Sequence, residues 1–180
     1  MSVSPWLATL PLLVAGCAGL MTTPTGPVTA RAEMRNATGE THGIAQFTQI
    51  GRVVRIVVEL QGLPPGAKAV HIHEVGRCEP PGFTTAGNHF NPDSKQHGAL
   101  NPRGPHAGDL PNITIEADGT GRLEAANELV SLLTGRTSLF DADGSALVVH
   151  TAPDDFRTDP TGNAGPRLLC GVIVRPPAGA

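Results

Sequence analysis

The sequence predicts an all-β domain of about eight short strands with two long loops, and three observations carry the prediction. The 180 residues include 22 glycines and 17 prolines. That load breaks long helices, because glycine supplies positive φ for turns and proline lacks the amide donor that regular structure needs. Apolar residues alternate with polar ones in short runs, the period of a half-buried strand. Two stretches, 74–105 and 151–167, are rich in Gly, Pro, Asn or His and show almost no periodicity. Structureless loops of that length are uncommon in compact domains and usually functional.

The first 17 residues, "MSVSPWLATLPLLVAGC", hold an apolar run too short to span a bilayer. They end in small residues before a cysteine, as a secretory signal does. "VAGC" resembles the bacterial lipobox, which implies cleavage before Cys17 and a diacylglyceryl group on its sulfur. The n-region carries no Lys or Arg, which leaves a weak signal and an upstream start both open. Residues 18–27 read as a flexible Thr/Pro/Gly tether, and 28–180 as the domain. The expected location is the cell envelope, exported and tethered to a membrane by lipid. Of the three cysteines, Cys17 goes to the lipid and leaves Cys78 and Cys170 as a candidate pair, which an oxidising compartment would close.

From Val28, "VTARAEMRN", "HGIAQFTQI" and "RVVRIVVEL" alternate as the strands of an antiparallel meander do. "LPPGA" reads as a turn and "AVHIH" as a fourth strand. "ITIEADGTGRLEA" is a hairpin with Asp118-Gly119 at its tip. "ELVSLLTG" is apolar but ambiguous, "DADG" is a turn, and "SALVVH" and "LLCGVIV" are the last two strands.

A net charge of −3, with no Lys/Arg run, gives no electrostatic footprint for nucleic acid. With no tyrosine and one tryptophan, the chain also lacks stacking platforms for single strands.

The histidines fall at 42, 71, 73, 89, 97, 106 and 150, and six of them lie in or at the edge of the two loops. His71 and His73 sit two apart on one strand, so both point to one face and can grip one ion. Within 89–109 the spacing H-x7-H-x8-H-x2-D offers three imidazoles and a carboxylate, His89, His97, His106 and Asp109, a set that suits tetrahedral zinc. His42 belongs to neither group and reads as a surface strand residue.

"HIHEVGRC", "HFNP", "HGALNP", "HAGDL", "LVVH" and "TGNAGPRLLCGVI" occur in that order and resemble the successive signatures of the Cu/Zn superoxide dismutases, from about Val28 to Arg175. The resemblance implies an eight-stranded antiparallel Greek-key β-barrel with two long functional loops. It implies one copper on His71, His73, His89 and His150, and one zinc on His89, His97, His106 and Asp109, with His89 shared. The implied activity is disproportionation of superoxide by alternate reduction and reoxidation of copper, protecting the envelope from extracytoplasmic superoxide. Arg167 matches the family's anion-guiding arginine, Asp154 the aspartate joining His71 to His97, and Cys78 with Cys170 the intrasubunit disulfide.

Two departures matter. The stretch from His150 to Arg167 is short and lacks the Glu/Lys cluster of the eukaryotic enzymes, which turns attention to Lys95 and Arg103 as further steering charges. The close spacing of Cys78 to the HxH pair looks like the bacterial branch, where both a monomer and a homodimer are open. The rivals to a dismutase are a metal carrier, for which the complete copper set and Arg167 would be dispensable, and a zinc hydrolase, for which no HExxH-type motif is present.

Overall fold

The computed structural model describes Met1 and residues 26–177. Residues 2–25, which hold the rest of the signal segment with Cys17 and all of the tether but its last two residues, lie outside the described residues. Nine strands form one antiparallel sheet: β1 Thr29–Arg35, β2 Thr41–Ile50, β3 Val53–Leu60, β4 Gly66–Lys68, β5 Val70–His73, β6 Ile113–Ile115, β7 Gly121–Asn127, β8 Ala146–His150 and β9 Arg167–Val172. A short 3₁₀ turn at Thr84–Ala86 is the one helical element among the described residues.

The strand order is β4-β6-β7-β3-β2-β1-β9-β8-β5, so β4 and β5 occupy opposite ends of the sheet although only Ala69 separates them in sequence. They are two halves of one strand, and the sheet closes on itself through it. Ala69 donates to the Ala152 carbonyl and accepts from the His150 amide, both at 2.9 Å. Counted with β4 and β5 joined, the barrel has the eight strands expected. The expected turn "LPPGA" already contains the first strand residues, Gly66 and Ala67, because Gly66 pairs with Ile115 across the sheet. The hairpin is as expected: Asp118 Oδ1 takes the Thr120 amide at 2.9 Å, the local side-chain bond that makes Asp-Gly a good turn.

Alternation explains the core. In β1 the residues Ala30, Ala32 and Met34 face inward, and in β3 Val54, Ile56, Val58 and Leu60 do so. Phe47, Ile72, Ile113, Leu147 and Leu169 are fully or almost fully buried with them. Each such side chain contributes roughly 1.5–3 kcal/mol by leaving water. β8 is buried on both faces. Its Leu147 and Val149 enter the barrel core, while Ala146 and Val148 pack outside it against Phe83, Ala86 and Cys170. The ambiguous "ELVSLLTG" segment is neither helix nor strand. Val130 and Leu132 plug the core, and Gln49 Oε1 caps the Leu132 amide at 2.8 Å.

Two features place the site. The free edge of β5 is completed by loop residues rather than a strand: Ile72 donates to Gly108 O and accepts from Phe90 N, both at 2.8 Å, and Gly108 N donates to Phe90 O at 2.9 Å. Gly108 is required there, because a Cβ would overlap the Ile72 carbonyl. The second feature is a register shift between Val149 and His150, which sets His150 opposite Arg167. Bulges commonly re-aim side chains beside active sites.

Candidate metal centre

Strand alternation sends Val70 and Ile72 into the core and His71 and His73 to the opposite face, under the loops. The edge pairing of β5 then brings His89 beside His73, and Asp109 beside His71, as isolated antiparallel bridges. His150 arrives from the adjoining strand. These four histidines, and His97 and His106 of the long loop, are all buried, a costly arrangement unless each nitrogen has a partner.

Most nitrogens do have one, and the exceptions define a site. His71 Nε2 lies 2.9 Å from Asp154 Oδ2, His73 Nδ1 lies 3.0 Å from the Gly87 carbonyl, and His150 Nδ1 lies 3.0 Å from the Gly165 carbonyl. A carbonyl or carboxylate oxygen accepts, so each of these nitrogens carries the proton. The opposite nitrogen of each ring is therefore a bare lone pair. His71 Nδ1, His73 Nε2 and His150 Nε2, together with His89 Nε2, are buried with no hydrogen-bond partner. The four residues offer ligand atoms all within 4.8 Å of one another. Four orphaned imidazole nitrogens converging in a buried space are what a copper ion takes up. Burial holds His71 at about 3 against the opposing hydrogen bond to Asp154, and His150 at about 4; it pushes His73 well below its usual range too. The rings are neutral at pH 7, as ligands must be.

The other nitrogen of His89 faces a second cluster. Asp109 Oδ1 stands 2.9 Å from His89 Nδ1, 3.1 Å from His97 Nδ1 and 3.3 Å from His106 Nδ1, and the His89 and His106 Nδ1 atoms are 3.3 Å apart. Four ligands at zinc–nitrogen distances on a tetrahedron stand about 3.3 Å from one another. The donors fit. Asp109 Oδ2 is fixed by the amides of Gly98 at 2.9 Å and His106 at 3.0 Å, which leaves Oδ1 to the cluster. Burial would raise the Asp109 carboxyl, but hydrogen bonds from His106, His89, His97 and Gly98 hold it far below the usual carboxylate range. His71 also approaches His89, His97 and Asp109 within 4.8 Å. Its own orphaned nitrogen belongs to the first group, so the two clusters touch at His89.

The family model described as copper/zinc superoxide dismutase matches residues 41–173. The chain belongs to the copper/zinc superoxide dismutase family. It is 50% identical over 146 residues to a Cu-Zn superoxide dismutase of Aquifex aeolicus, which covers 80% of this chain and 85% of that one. It is 45% identical over 147 residues to the Cu-Zn superoxide dismutase of Caulobacter vibrioides, covering 80% and 84%. Among solved structures it is similar to a SOD-like protein from Bacillus subtilis, at 37% identity and a TM-score of 0.75, covering 78% of this chain and 95% of that one.

The remaining candidate residues of this superoxide dismutase family member fall around the two clusters. Asp154 joins them: Oδ2 meets His71 Nε2 and Oδ1 meets His97 Nε2, each at 2.9 Å. Burial lowers His97, yet its bonds to Asp109 and Asp154 outweigh that and lift it to about 9. Cys78 and Cys170 form a disulfide with Cα atoms 5.6 Å apart. Arg167 is held by the carbonyls of Phe83 at 2.5 Å and Gly87 at 2.6 Å, and its half-buried guanidinium lines a cavity with His73, His89 and His150. Lys95 reaches the same cavity, whereas Arg103 lies outside it, among Gln96, Leu100 and Arg157. His42, partly exposed on β2, bonds Asn36 and Gln61 and stays apart from the clusters.

Three contributors escape a sequence reading. Asn112 clamps the Asp154 backbone from both sides, at 2.9 and 3.0 Å. Asp159 takes the His97 amide at 2.6 Å. Gly162 packs against Asp154 and His97 where a side chain has no room. All three are small or polar residues in aperiodic stretches, with no signal beyond composition.

Proposed function

We propose that this chain disproportionates superoxide, converting two superoxide anions and two protons to dioxygen and hydrogen peroxide, with copper on His71, His73, His89 and His150 and zinc on His89, His97, His106 and Asp109. The observation that carries the reading is the set of four buried, partnerless imidazole nitrogens beside Arg167. When bound, copper supplies the one-electron change between two oxidation states that the reaction needs, while zinc supplies charge and rigidity to the shared ring.

The protein's own residues do the rest. Arg167 attracts and orients the anion: a guanidinium has five N–H donors, and the Phe83 and Gly87 carbonyls fix its plane while leaving donors free. Its charge is felt at His73 and His150, whose protonated forms it disfavours. His89 would hold a proton at Nε2 in one half of the cycle and deliver it to the departing peroxide, while Nδ1, which faces Asp109 Oδ1 at 2.9 Å, would be left to the zinc side. Asp154 and the Gly87 and Gly165 carbonyls lock the ring tautomers, so that every lone pair points inward. Arg167 beside the open cavity favours an enzyme over a carrier, because a carrier has no use for a substrate-side cation. Every residue comes from one chain, so the proposal holds for a monomer and a homodimer alike.

We further propose that the protein is exported and lipid-anchored at Cys17, guarding the cell envelope. The "VAGC" motif supports the anchor, and the Cys78–Cys170 disulfide supports an oxidising compartment. Elemental analysis joined to a superoxide-consumption assay tests the activity. One copper and one zinc per chain with rapid consumption is expected; a fully metallated protein that leaves superoxide intact overturns the reading.

A further inference from the structure

We infer that the end of the barrel where the tether arrives is a membrane-resting face, in which Ile50, Leu129 and Leu133, flanked by Arg52 and Arg175, settle into the headgroup region of an anionic bilayer. The inference rests on the lipid anchor proposed above.

These residues form one neighbourhood. Gln49 N donates to the Val28 carbonyl at 2.9 Å, so the tether enters beside the end of β2. The Gln49 side chain bonds Ser131 and Leu132, and Arg175 Nη2 donates to Leu132 O at 3.0 Å. The 128–133 loop, the β2 end and both ends of the described chain therefore meet at one pole. At this pole Ile50 is 57% exposed, Leu133 46% and Leu129 44%, three of the five largest apolar exposures between residues 26 and 177. Leu132 and Val130 beneath them already fill the core, so Leu129 and Leu133 are not spare core residues.

Tether length and charge select the occupant. Ten residues separate Cys17 from Val28, and a relaxed chain of that length spans about 17 Å. A lipid on Cys17 therefore brings this pole nearer the surface than the far end of the domain. Arg52 and Arg175 are exposed and make no salt bridge among the described residues, while the 128–133 loop carries one carboxylate, Glu128. Arg175 stacks on Phe140 with its guanidinium 4.2 Å from the ring centroid, which holds the charge beside the apolar group, and apolar side chains flanked by two cations suit an interface of anionic lipid. Arg167 begins the strand whose extension is Arg175, eight residues or about 26 Å away along an extended chain. Arg167, which lines the substrate cavity, thus stands at the opposite end of that strand from the pole.

The composition provides a clean probe. Trp6 is the one tryptophan, and cleavage before Cys17 removes it. The mature lipoprotein carrying Leu133→Trp, and separately Ile50→Trp, is reconstituted into vesicles of phosphatidylcholine and phosphatidylglycerol, with Leu100→Trp on the far loop as the control. The expected result is a blue-shifted emission for both pole variants, with about half or more lost to brominated lipid, as suits a depth of roughly 5–10 Å, and neither effect for Leu100→Trp. Variants that float with the vesicles while their tryptophans stay unshifted and unquenched overturn the inference and leave the anchor standing. Failure to float, with no lipid mass on Cys17, overturns the anchor and this inference with it. A blue shift that appears without vesicles and grows with protein concentration assigns the face to a second copy of the chain instead.

Discussion

The rings of His71 and His97 meet edge to face with centroids 5.4 Å apart, and the carboxylate of Asp154 spans their outer nitrogens. One ring belongs to each proposed ion, so Asp154 is the mechanical link between the two halves of the site. Asp154→Asn replaces one acceptor by an amide that faces an N–H, and one of the two bonds is lost. Metal affinity is expected to fall about 10- to 100-fold with the fold intact, measured by chelator competition alongside circular dichroism. Gly162→Ala attacks the same link from outside. Its φ of +63° disfavours a side chain, and the added Cβ would overlap Asp154 Oδ1 and lie 2.6 Å from His97 Nε2. Wild-type metal retention in both variants would show that the carboxylate bridge is dispensable.

Arg167→Ala is expected to lower the second-order rate about tenfold or more, the scale of electrostatic steering, and to flatten the dependence on ionic strength, with copper and zinc content unchanged. Arg167→Lys keeps the charge but loses the planar fork that binds Phe83 O and Gly87 O, so an intermediate rate is expected. Equal rates for the wild type and Arg167→Ala across a salt series would remove the guiding role.

The Cys78–Cys170 bond closes a loop across a sequence separation of 92. Chain-entropy reasoning assigns such a closure about 4 to 5 kcal/mol. Cys170→Ser is expected to lose much of that in urea unfolding and to loosen the segment carrying Phe83 and Gly87, so its rate falls as well. Unaltered stability with a reduced rate would confine the disulfide to positioning.

The metal-free protein has a pH signature. His71 and His150 are held near 3 and 4 in the fold but titrate near 6.5 when unfolded, so the unfolded chain takes up protons first as pH falls. Their contribution is fully present above about 6.5 and is lost progressively toward pH 4. His97 has the opposite sign: raised to about 9, it stabilises below 6.5 and loses that contribution as pH rises through 9. Urea midpoints of the chelated protein should therefore decline on both sides of a maximum. A midpoint that stays level from pH 7 to 4 would contradict neutral burial of His71 and His150.

The strands are legible because a half-buried sheet writes its period into the chain: Val54, Ile56, Val58 and Leu60 alternate with solvent-facing neighbours. The start of the fourth strand is not, since Gly66 and Ala67 carry turn-like chemistry and become strand only by pairing with Ile115 and Thr114. The candidate donors are legible in the spacing of His71, His73, His89, His97, His106 and Asp109. Which nitrogen of each ring is left bare is not, because that depends on distant partners: the carbonyls of Gly87 and Gly165 for His73 and His150, and the carboxylates of Asp154 and Asp109 for His71 and His89. The same holds for Lys95 and Arg103. They are near neighbours in sequence, yet the loop path sends one to the cavity and the other away from it.

The completion of β5 by Phe90 and Gly108 has a thermodynamic corollary. Each of these residues adjoins a proposed ligand, His89 or Asp109, so the hydrogen bonds that seal the barrel are the ones that hold the donors in register. Ion release and fraying of that edge are then reciprocal events. The Ile72 amide, protected in the holoprotein, becomes a proton-exchange reporter of occupancy deep in the sheet.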